Sequence, residues 1–344
     1  MRNYYIVKSG RLKREANSLM FEYFEKDETQ TDEENIETRA NVKRVPVPIE
    51  TIDCVYVFGE VDFNTKLINF FSQKNIIIHF FNYYGYYTGS FYPKEFLLSG
   101  EILVKQSEHY LDSEKRLELA KEFIRGASYG TIQNLKRYKE KTGDILARVE
   151  NLNESLYNNS INTISGLMGI EGNIKEAYYK AFPLIINQKI DFTKRVKHPP
   201  DNMMNALISF VNSMIYTQTL KEIYKSQLNP TVSFLHEPFY RRFSLALDIA
   251  EIFKPIYGDR VIFDLLNNNM LKKEHFDKDL NYAYLKEDGK KIVIKAMEEK
   301  LDTTITHKKL NKKVSYRSII RYEAYKLVKH FLGEEEYKSF RIWW

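Results

Sequence analysis

The spacing of apolar residues changes character near Pro93. Before it, short runs rich in Val, Ile, Tyr and Phe alternate with breakers such as Ser9-Gly10 and Gly85, which predicts β-strands. After it, apolar residues recur at intervals of three and four, the period of an amphipathic helix. The pattern predicts strands at 4–8, 18–24, 54–58, 76–81 and 86–91, with a helical interruption at 63–73. Helices are predicted at 96–104, 113–138, 143–156, 159–168, 174–182, 203–225, 240–253 and 315–332, and a further strand at 291–294.

These elements predict an α+β fold with two domains. We expect a small β-rich amino-terminal domain at residues 1–95 and a larger all-helical carboxy-terminal domain at 96–344. The length of 344 residues allows each domain to bury its own core. Residues 25–40 contain many acids and almost nothing to bury, so we expect a flexible hairpin tip there.

Composition narrows the class of protein. The net charge is +6, although the run from Glu25 to Glu37 holds seven acids and one lysine. The single cysteine, Cys54, excludes an intramolecular disulfide and a thiolate metal cluster, and its apolar neighbours predict a buried thiol. No apolar run approaches the roughly 18 to 20 residues of a membrane span. The amino terminus has no signal-peptide layout, so we expect a cytoplasmic protein without a membrane partner.

A glutamate framed by glycines is the first candidate for chemistry, in the motif Gly169-Ile170-Glu171-Gly172. The glycines indicate that the backbone turns or is closely approached there, with a helix starting at about Asn173. A carboxylate at such a turn is either a metal ligand or an acid that accepts the amides of a first helical turn. The motif alone leaves both interpretations open.

A histidine follows in the segment Ser-Phe-Leu-His-Glu-Pro at 233–238. Pro238 favours an extended Glu237 and a helix that starts just beyond it. We therefore expect His236 to project from a helix entrance, where it can meet a ligand. The alternative is a hydrogen-bonded core histidine beneath its apolar neighbours.

Two acids lie three residues apart on the helix expected at 239–253, so Asp248 and Glu251 face one side of it. Apolar neighbours indicate that this helix is largely buried, and two buried carboxylates cost several kcal/mol unless a cation or donors compensate. A surface acidic face is the alternative. His236 and Glu251 would lie roughly 22 Å apart along one straight helix. They share an ion only if the chain turns between them, near Pro238.

Carboxylate oxygens and one imidazole form a donor set that suits Mg²⁺ or Mn²⁺, and the histidine favours Mn²⁺. Zinc usually recruits more nitrogen or sulfur. Such an ion lowers the pKa of an attacking hydroxyl and offsets charge on a phosphoryl transition state. The donor set therefore indicates a divalent-metal phosphodiester enzyme.

The same segments resemble the signature of a known family, the CRISPR-associated integrase, the first of the two universal adaptation proteins of CRISPR systems. The similarity extends over nearly the whole chain, and the order and spacing of the motifs make it specific. The Asn-Tyr-Tyr-Gly stretch is similar to the branch found in type I systems, with subtype I-B as the expectation. The motifs that carry the resemblance lie at 9–14, 55–61, 80–85, 169–172, 199–202, 205–209, 233–238 and 245–251.

The resemblance implies the residues of the site. The family's glutamate, histidine and helix acid match Glu171, His236 and Glu251, as both catalytic residues and metal ligands. Asp248 matches a further family acid one turn earlier, and it remains a supporting or alternative ligand. The last acid varies in the family, so the choice between Glu251 and Asp248 is open.

The resemblance also implies the partners and the reaction. It implies an amino-terminal dimerisation domain, a helical catalytic domain, and a homodimer that assembles with a small ferredoxin-like CRISPR adaptation partner. The 3′-hydroxyl ends of a short DNA fragment, the protospacer, would attack the boundaries of the CRISPR repeat. The stretch 300–329, with nine Lys or Arg against two acids, fits a surface that follows a phosphate backbone. Its composition makes DNA-binding candidates of Lys308, Lys309, Lys312, Lys313, Arg317 and Arg321, with Arg241 and Arg242 as weaker ones.

Two other functions fit the same residues. One is a nucleic-acid-binding scaffold in which the acids and the histidine are structural and the basic stretch holds DNA or is merely a solvated helix face. The other is a general metal-dependent nuclease outside CRISPR biology. Binding of Mn²⁺ separates the first from an enzyme, and product analysis on a repeat-bearing plasmid separates the second from an integrase.

Overall fold

The computed structural model describes residues 1–24, 42–94, 97–158, 161–197, 199–238, 242–279, 282–307 and 311–342. The chain divides into two compact units, Met1–Phe96 and Leu97–Trp344. The first contains strands and one helix and the second is dominated by helices, which confirms the α+β fold class. The acidic tip expected at 25–40 lies outside the described residues.

The first unit contains two four-stranded sheets among its described residues. One has the order β1-β5-β7-β8, with β1, β5 and β7 parallel and β8 antiparallel, and the other has the order β4-β3-β2-β6. Leu67, Phe70 and Phe71 of the helix join apolar side chains of both sheets in one core. The elements are β1 (Arg2–Ile6), β2 (Gly10–Glu15), β3 (Ser18–Phe24), β4 (Val42–Pro48), β5 (Ile52–Val57), β6 (Val61–Asp62), α1 (Thr65–Gln73), β7 (Ile77–Phe81) and β8 (Tyr87–Phe91).

Three of these strands, β2, β4 and β6, are not predicted by the sequence pattern. Strand β2 has the sequence Gly-Arg-Leu-Lys-Arg-Glu, in which Leu12 alone is buried, so its composition does not suggest a strand. Strand β4 contains Pro46 and Pro48, and it lies at the edge of its sheet, where proline is tolerated because an outer amide needs no partner. Cys54 is completely buried in β5, as predicted.

The second unit is helical, with two short hairpins, β9–β10 and β11–β12, that the pattern did not predict. None of its helices, as far as the chain is described, has the length and apolar character that a membrane crossing demands. The elements are α2 (Gly100–Leu111), α3 (Ser113–Arg137), α4 (Lys139–Glu154), α5 (Ile164–Ile185), α6 (Met203–Tyr224), α7 (Ser244–Phe253), α8 (Arg260–Asn267), β9 (Phe276–Asp279), β10 (Tyr282–Leu285), α9 (Glu287–Asp302), β11 (Thr304–His307), β12 (Lys312–Ser315) and α10 (Tyr316–Phe331). A π-helical segment, Lys254–Asp259, joins α7 to α8.

Two predictions about the helical unit are wrong. The expected strand at 291–294 lies inside α9, because its apolar residues continue a helical period across Met297 and Leu301. The two helices expected at 159–168 and 174–182, the second starting at about Asn173, are one helix that starts at Ile164, where the Thr163 side chain accepts a hydrogen bond from the amide of Gly166. Glu171 therefore lies within α5 and is not an acid of its first turn.

Glycines on α3 allow the helix to approach its neighbours closely. A Cβ at Gly130 would lie 2.6 Å from Cγ2 of Ile256 and 2.9 Å from Cγ of Pro255, both in the π-helical segment. A Cβ at Gly126 would lie 2.8 Å from Oγ of Ser339. Since real Cβ contacts are longer, Gly130 allows α3 to lie close to the segment that follows α7, and Gly126 allows it to lie close to the carboxy-terminal tail.

The carboxy-terminal tail after α10 is held by buried acids of the helices. Glu122 accepts hydrogen bonds from the amide and the hydroxyl of Ser339, at 3.0 and 3.3 Å. Glu323 accepts them from the Tyr337 hydroxyl at 2.8 Å and the Phe340 amide at 3.2 Å. The ring of Phe340 stacks on Phe253, the last residue of α7, with centroids 6.4 Å apart. The tail is therefore part of the packing around α7.

We expect Gly130→Ala to destabilise the protein by about 1–3 kcal/mol, because the added methyl overlaps Ile256 and Pro255. Thermal or urea unfolding measures the change. Gly143→Ala on α4 is the matched control, since nothing lies within 4 Å of the added Cβ there. The control should be neutral or slightly stabilising, by up to about 1 kcal/mol, because alanine favours a helix over glycine. Equal melting temperatures for the two variants would contradict the close packing of α3.

Candidate metal centre

Glu171 and Lys175 lie one turn apart on α5 and form an ion pair. The spacing of four residues places the two side chains on the same face of the helix. Gly169 and Gly172, which flank the glutamate in sequence, have open space where a Cβ would be. Because residues one and two positions apart lie on different faces of a helix, these glycines are not on the face of Glu171.

Glu251 is buried on α7, with 5 % of its side chain exposed, and it binds two ammonium groups. Its Oε2 lies 2.9 Å from Nζ of Lys175, and its Oε1 lies 2.5 Å from Nζ of Lys254. Burial alone would raise the pKa of Glu251, but the two lysines hold it well below its usual value. The carboxylate is therefore ionised, and Lys175 joins it to Glu171.

Asp248 is completely buried on the same helix and has a different set of partners. Its Oδ2 accepts the amides of Phe234 and Leu235, at 2.7 and 3.0 Å. Its Oδ1 accepts the amide of His236 at 3.0 Å and Nδ1 of its ring at 2.7 Å. Both oxygens are thus engaged in holding the segment before α7, and the Nδ1 proton leaves the lone pair of His236 on Nε2.

The segment of His236 lies against α7, as required if the histidine is to approach the helix acids. The helix begins at Ser244, later than the expected 239–240, and the segment before it folds back onto Asp248. Arg116 of α3 supports this segment, donating from Nε to the Phe234 carbonyl at 2.9 Å and from Nη2 to Glu237 at 2.6 Å. The segment that carries the imidazole is therefore held by Asp248 on one side and by Arg116 on the other.

The structure assembles the predicted ligands in two pairs. Glu171 and Glu251 meet through Lys175, and His236 meets Asp248. Within the described ranges, no group of three or more His, Cys, Asp or Glu side chains is close enough to bind one ion. The donor chemistry nevertheless fits a divalent cation, because two carboxylates already converge on one positive charge. Of the two helix acids, Glu251 faces this point, while both oxygens of Asp248 are occupied elsewhere.

A small cavity of about 40 Å³, roughly the size of one water molecule, lies beside the two glutamates. Its lining includes Glu171, Lys175, Glu251, Lys254 and Asp259. Asp259 is buried, and burial raises the pKa of its carboxyl group to about 7, although a hydrogen bond from Tyr178 opposes the rise. This acid is therefore poised to change charge close to neutral pH.

Sequence reasoning missed Lys175, Lys254 and Asp259. The spacing carried a signal for the lysines, since Lys175 follows Glu171 by four residues and Lys254 follows Glu251 by three. Asp259 carried no such signal, because it lies beyond the end of the predicted helix.

The DNA-binding candidates are in different environments. Arg317 binds Glu298 and Asp302, at 2.9 and 3.1 Å, and Arg321 binds the buried Glu222 at 2.6 Å. These two arginines therefore take part in ion pairs within the unit. Arg242 donates to the Glu237 carbonyl at 2.7 Å. Lys312 and Lys313 are exposed on β12, and Arg241, Lys308 and Lys309 lie outside the described residues.

Comparison with known proteins gives extensive matches. Residues 4–299 match the family model described as CRISPR associated protein Cas1. A CRISPR-associated endonuclease Cas1 from Fusobacterium nucleatum is 50 % identical over 346 residues, covering 100 % of this chain and 97 % of that protein. Another, from Thermodesulfovibrio yellowstonii, is 49 % identical and covers both chains completely.

Solved structures share the fold. A CAS1 protein from Thermotoga maritima superposes with a TM-score of 0.83 at 38 % identity, covering 98 % of this chain and 100 % of that one. A casposase bound to an integration product superposes with a TM-score of 0.83 at 19 % identity, covering 99 % of this chain and 93 % of that one. A chain of a Cas6-RT-Cas1–Cas2 complex superposes with a TM-score of 0.80 at 13 % identity, covering 99 % of this chain and 36 % of that one. At these low identities the last two matches show the fold alone.

We expect Asp248→Asn to lower the free energy of unfolding by roughly 2–4 kcal/mol, because it removes the buried charge that accepts three amides and an imidazole. Urea unfolding measures the loss. Asp144→Asn, an exposed aspartate on α4, is the control and should change stability little. An Asp248→Asn protein as stable as the control would show that this carboxylate does not hold the segment.

The pH dependence of stability should report on Asp259. Its folded pKa of about 7 lies above the ordinary 3.8, so the stability it contributes is present below pH 4 and is lost as the pH rises through 7. Asp259→Asn cannot ionise, so it should be more stable than wild type at pH 8 by roughly 2–4 kcal/mol and should approach it at pH 4. The control is Asp264→Asn, at an exposed position of α8. A difference from wild type that is independent of pH would contradict the assignment.

Proposed function

The chain belongs to the Cas1 family of CRISPR-associated proteins, and on that basis we propose that it is a metal-dependent DNA endonuclease and integrase of CRISPR adaptation. It inserts short foreign DNA fragments into the CRISPR array by attack of their 3′-hydroxyl ends on phosphodiesters. The observation that carries the proposal is the full-length match to Cas1 endonucleases in a chain whose Glu171 and Glu251 converge on one positive charge.

Divalent-metal dependence is general in the endonuclease family. In this proposal the residues that would hold the ion are Glu171, His236 and Glu251. The two carboxylates supply oxygen donors, and His236 supplies Nε2 because its Nδ1 proton is donated to Asp248. Asp248 is a positioning residue in this assignment, since its oxygens are already occupied. Two carboxylates and one imidazole suit Mg²⁺ or Mn²⁺, with the nitrogen favouring Mn²⁺.

The reaction exchanges one phosphodiester for another. A divalent ion held there would supply Lewis acidity, which would lower the pKa of the attacking 3′-hydroxyl and offset charge on the phosphoryl group. The chain supplies the positioning: Asp248 and Arg116 hold the segment of His236, and Glu251 is fixed on the buried helix α7. Lys254, held on Glu251, adds a fixed positive charge beside the site of charge development.

DNA and protein partners complete the proposal. The first unit serves as the dimerisation domain of a homodimer, and the second is the catalytic domain. The exposed Lys312 and Lys313 contribute to the surface that holds the protospacer fragment and the repeat. A small ferredoxin-like adaptation protein is the partner, and Cas1 relatives occur in a complex named for Cas1 and Cas2.

A scaffold without catalysis is the second candidate function. The observation that favours it is that the described part of the chain holds no group of three metal-binding side chains. In a scaffold, the ion pairs of Glu171 and Glu251 would be structural, and DNA binding would depend on salt but not on divalent ions.

We expect His236→Ala to reduce Mn²⁺-dependent strand transfer into a repeat-bearing plasmid by at least roughly a hundredfold, because it removes the nitrogen ligand. Gel analysis of plasmid products, with the partner protein supplied, measures the loss. The variant should stay folded and bind DNA. His275→Ala is the control, since His275 contacts the Lys272 amide rather than the acids of the centre.

Calorimetry with Mn²⁺ separates the two functions. Wild type should bind Mn²⁺, and Glu171→Ala should lose that binding. Absence of Mn²⁺ binding by wild type, or full strand transfer by His236→Ala, would overturn the proposed centre. Cleavage of plasmid DNA without insertion of fragments would instead indicate a general nuclease.

A further inference from the structure

We propose that Lys175 occupies the cation position between Glu171 and Glu251 in the ion-free protein, and that a divalent ion must displace this lysine to bind both carboxylates. The inference rests on the proposed function, because it concerns the same centre. It assigns to Lys175 the role of an internal competitor, which keeps the centre closed and charge-balanced until an ion enters.

The contacts of Lys175 are those of a shared cation. Its ammonium forms an ion pair with Glu171 on its own helix and lies 2.9 Å from Oε2 of Glu251 on α7. Lys254, in contrast, contacts the other oxygen of Glu251 at 2.5 Å. Lys175 is thus the positive group that links the two helices at the point where their carboxylates converge.

Charge balance favours the departure of an ammonium when an ion arrives. Glu171 and Glu251 are balanced by Lys175 and Lys254, so these four side chains carry no net charge together. A divalent ion would add two positive charges next to a carboxylate that is 5 % exposed, with the buried Asp259 as the further acid of the same cavity. Unpaired charge in such a place is strongly unfavourable. Moreover, an ion that binds both carboxylates would lie at the point between them that the Lys175 ammonium already occupies.

Lys175 is the more exposed of the two lysines, which makes it the one that moves. Its side chain is 34 % exposed, whereas that of Lys254 is 20 % exposed. The lysine stem is flexible, and its ammonium is strongly hydrated, so Lys175 can turn from the carboxylates into water. Lys254 can meanwhile remain on Oε1 of Glu251. The ion then replaces one positive group with another at the same carboxylates.

This role has two consequences of opposite sign. Lys175 stabilises the ion-free protein, because without it two converging carboxylates would lose a shared counter-charge. It also weakens ion binding, because its ion pairs must be broken first. A lysine that merely oriented the ligands would have the other effect on binding, since its removal would weaken the ion's affinity.

The test replaces Lys175 with a neutral side chain, in Lys175→Met and Lys175→Gln. Calorimetry should show Mn²⁺ binding that is tighter than in wild type by about tenfold, the equivalent of one charge-assisted hydrogen bond that no longer has to be broken. In EDTA both variants should melt at a lower temperature than wild type. Added Mn²⁺ should raise their melting temperature by more than it raises that of wild type.

Two further variants serve as controls. Lys175→Arg keeps the charge and should bind Mn²⁺ no more tightly than wild type. Lys180→Met removes a lysine of the same helix that pairs with the exposed Glu176 at 2.7 Å, an ion pair of the same spacing away from the centre. This variant should change neither the Mn²⁺ affinity nor its effect on melting.

The outcomes separate the inference from the proposed centre. Unchanged or weaker Mn²⁺ binding in the folded neutral variants, with wild-type binding that still depends on Glu171, would overturn the competitor role and leave the centre intact. Tightening in Lys180→Met equal to that in Lys175→Met would also overturn it, since a general charge effect would then explain the change. Wild-type protein that binds no Mn²⁺ would overturn the centre and the inference together.

Discussion

The burial of two carboxylates on one apolar helix is the constraint on which the helical unit depends. Asp248 and Glu251 lie on α7, whose other side chains are mainly apolar and buried. A buried carboxylate is tolerated only if donors or cations compensate its charge. Asp248 meets this requirement with three amides and an imidazole, and Glu251 meets it with two ammonium groups. Each acid thereby draws a separate segment of the chain to α7.

The same principle fixes the end of the chain. Glu122 and Glu323 are buried acids whose carboxylates accept amides of the tail, at Ser339 and Phe340. The tail in turn places the ring of Phe340 on Phe253, directly after the turn that carries Glu251. Since amides donate along fixed directions, these contacts specify the path of a segment that has no secondary structure of its own. Buried acids thus position both the segments of the candidate metal centre and the tail that packs on α7.

Much of the fold can be predicted from the sequence, because the spacing of apolar residues indicates which side chains are buried. Helices such as α3 and α10 were located within a few residues, since their apolar residues repeat with the helical period over many turns. The prediction was wrong at α5, where Gly169 and Gly172 were interpreted as a turn. Glycine permits a turn but does not require one, and here Thr163 and the apolar residues around the glycines continue a helix through them. Strand β2 was missed because its side chains are mostly polar, and its place in the sheet depends on its pairing with β3.

The centre was only partly predictable, for a reason of geometry. Asp248 and Glu251 share a helix face, yet three residues correspond to a rotation of about 300° and a rise of about 4.5 Å. The two carboxylates are therefore offset by about 60° around the axis, and they meet different neighbours.

Asp248 points to the segment before α7, whereas Glu251 points to α5. Which neighbour each acid meets depends on tertiary packing, so the spacing alone could not choose between them. The spacing also could not show that Lys175 and Lys254 turn towards the acids rather than into water. The choice of ligand and the presence of its competing ammonium thus have one cause, the placement of α5 and α7 on α3, which brings Lys175 to Glu251. A centre built in this way holds the buried Glu251 ionised before any ion arrives, because Lys175 and Lys254 supply the positive charge.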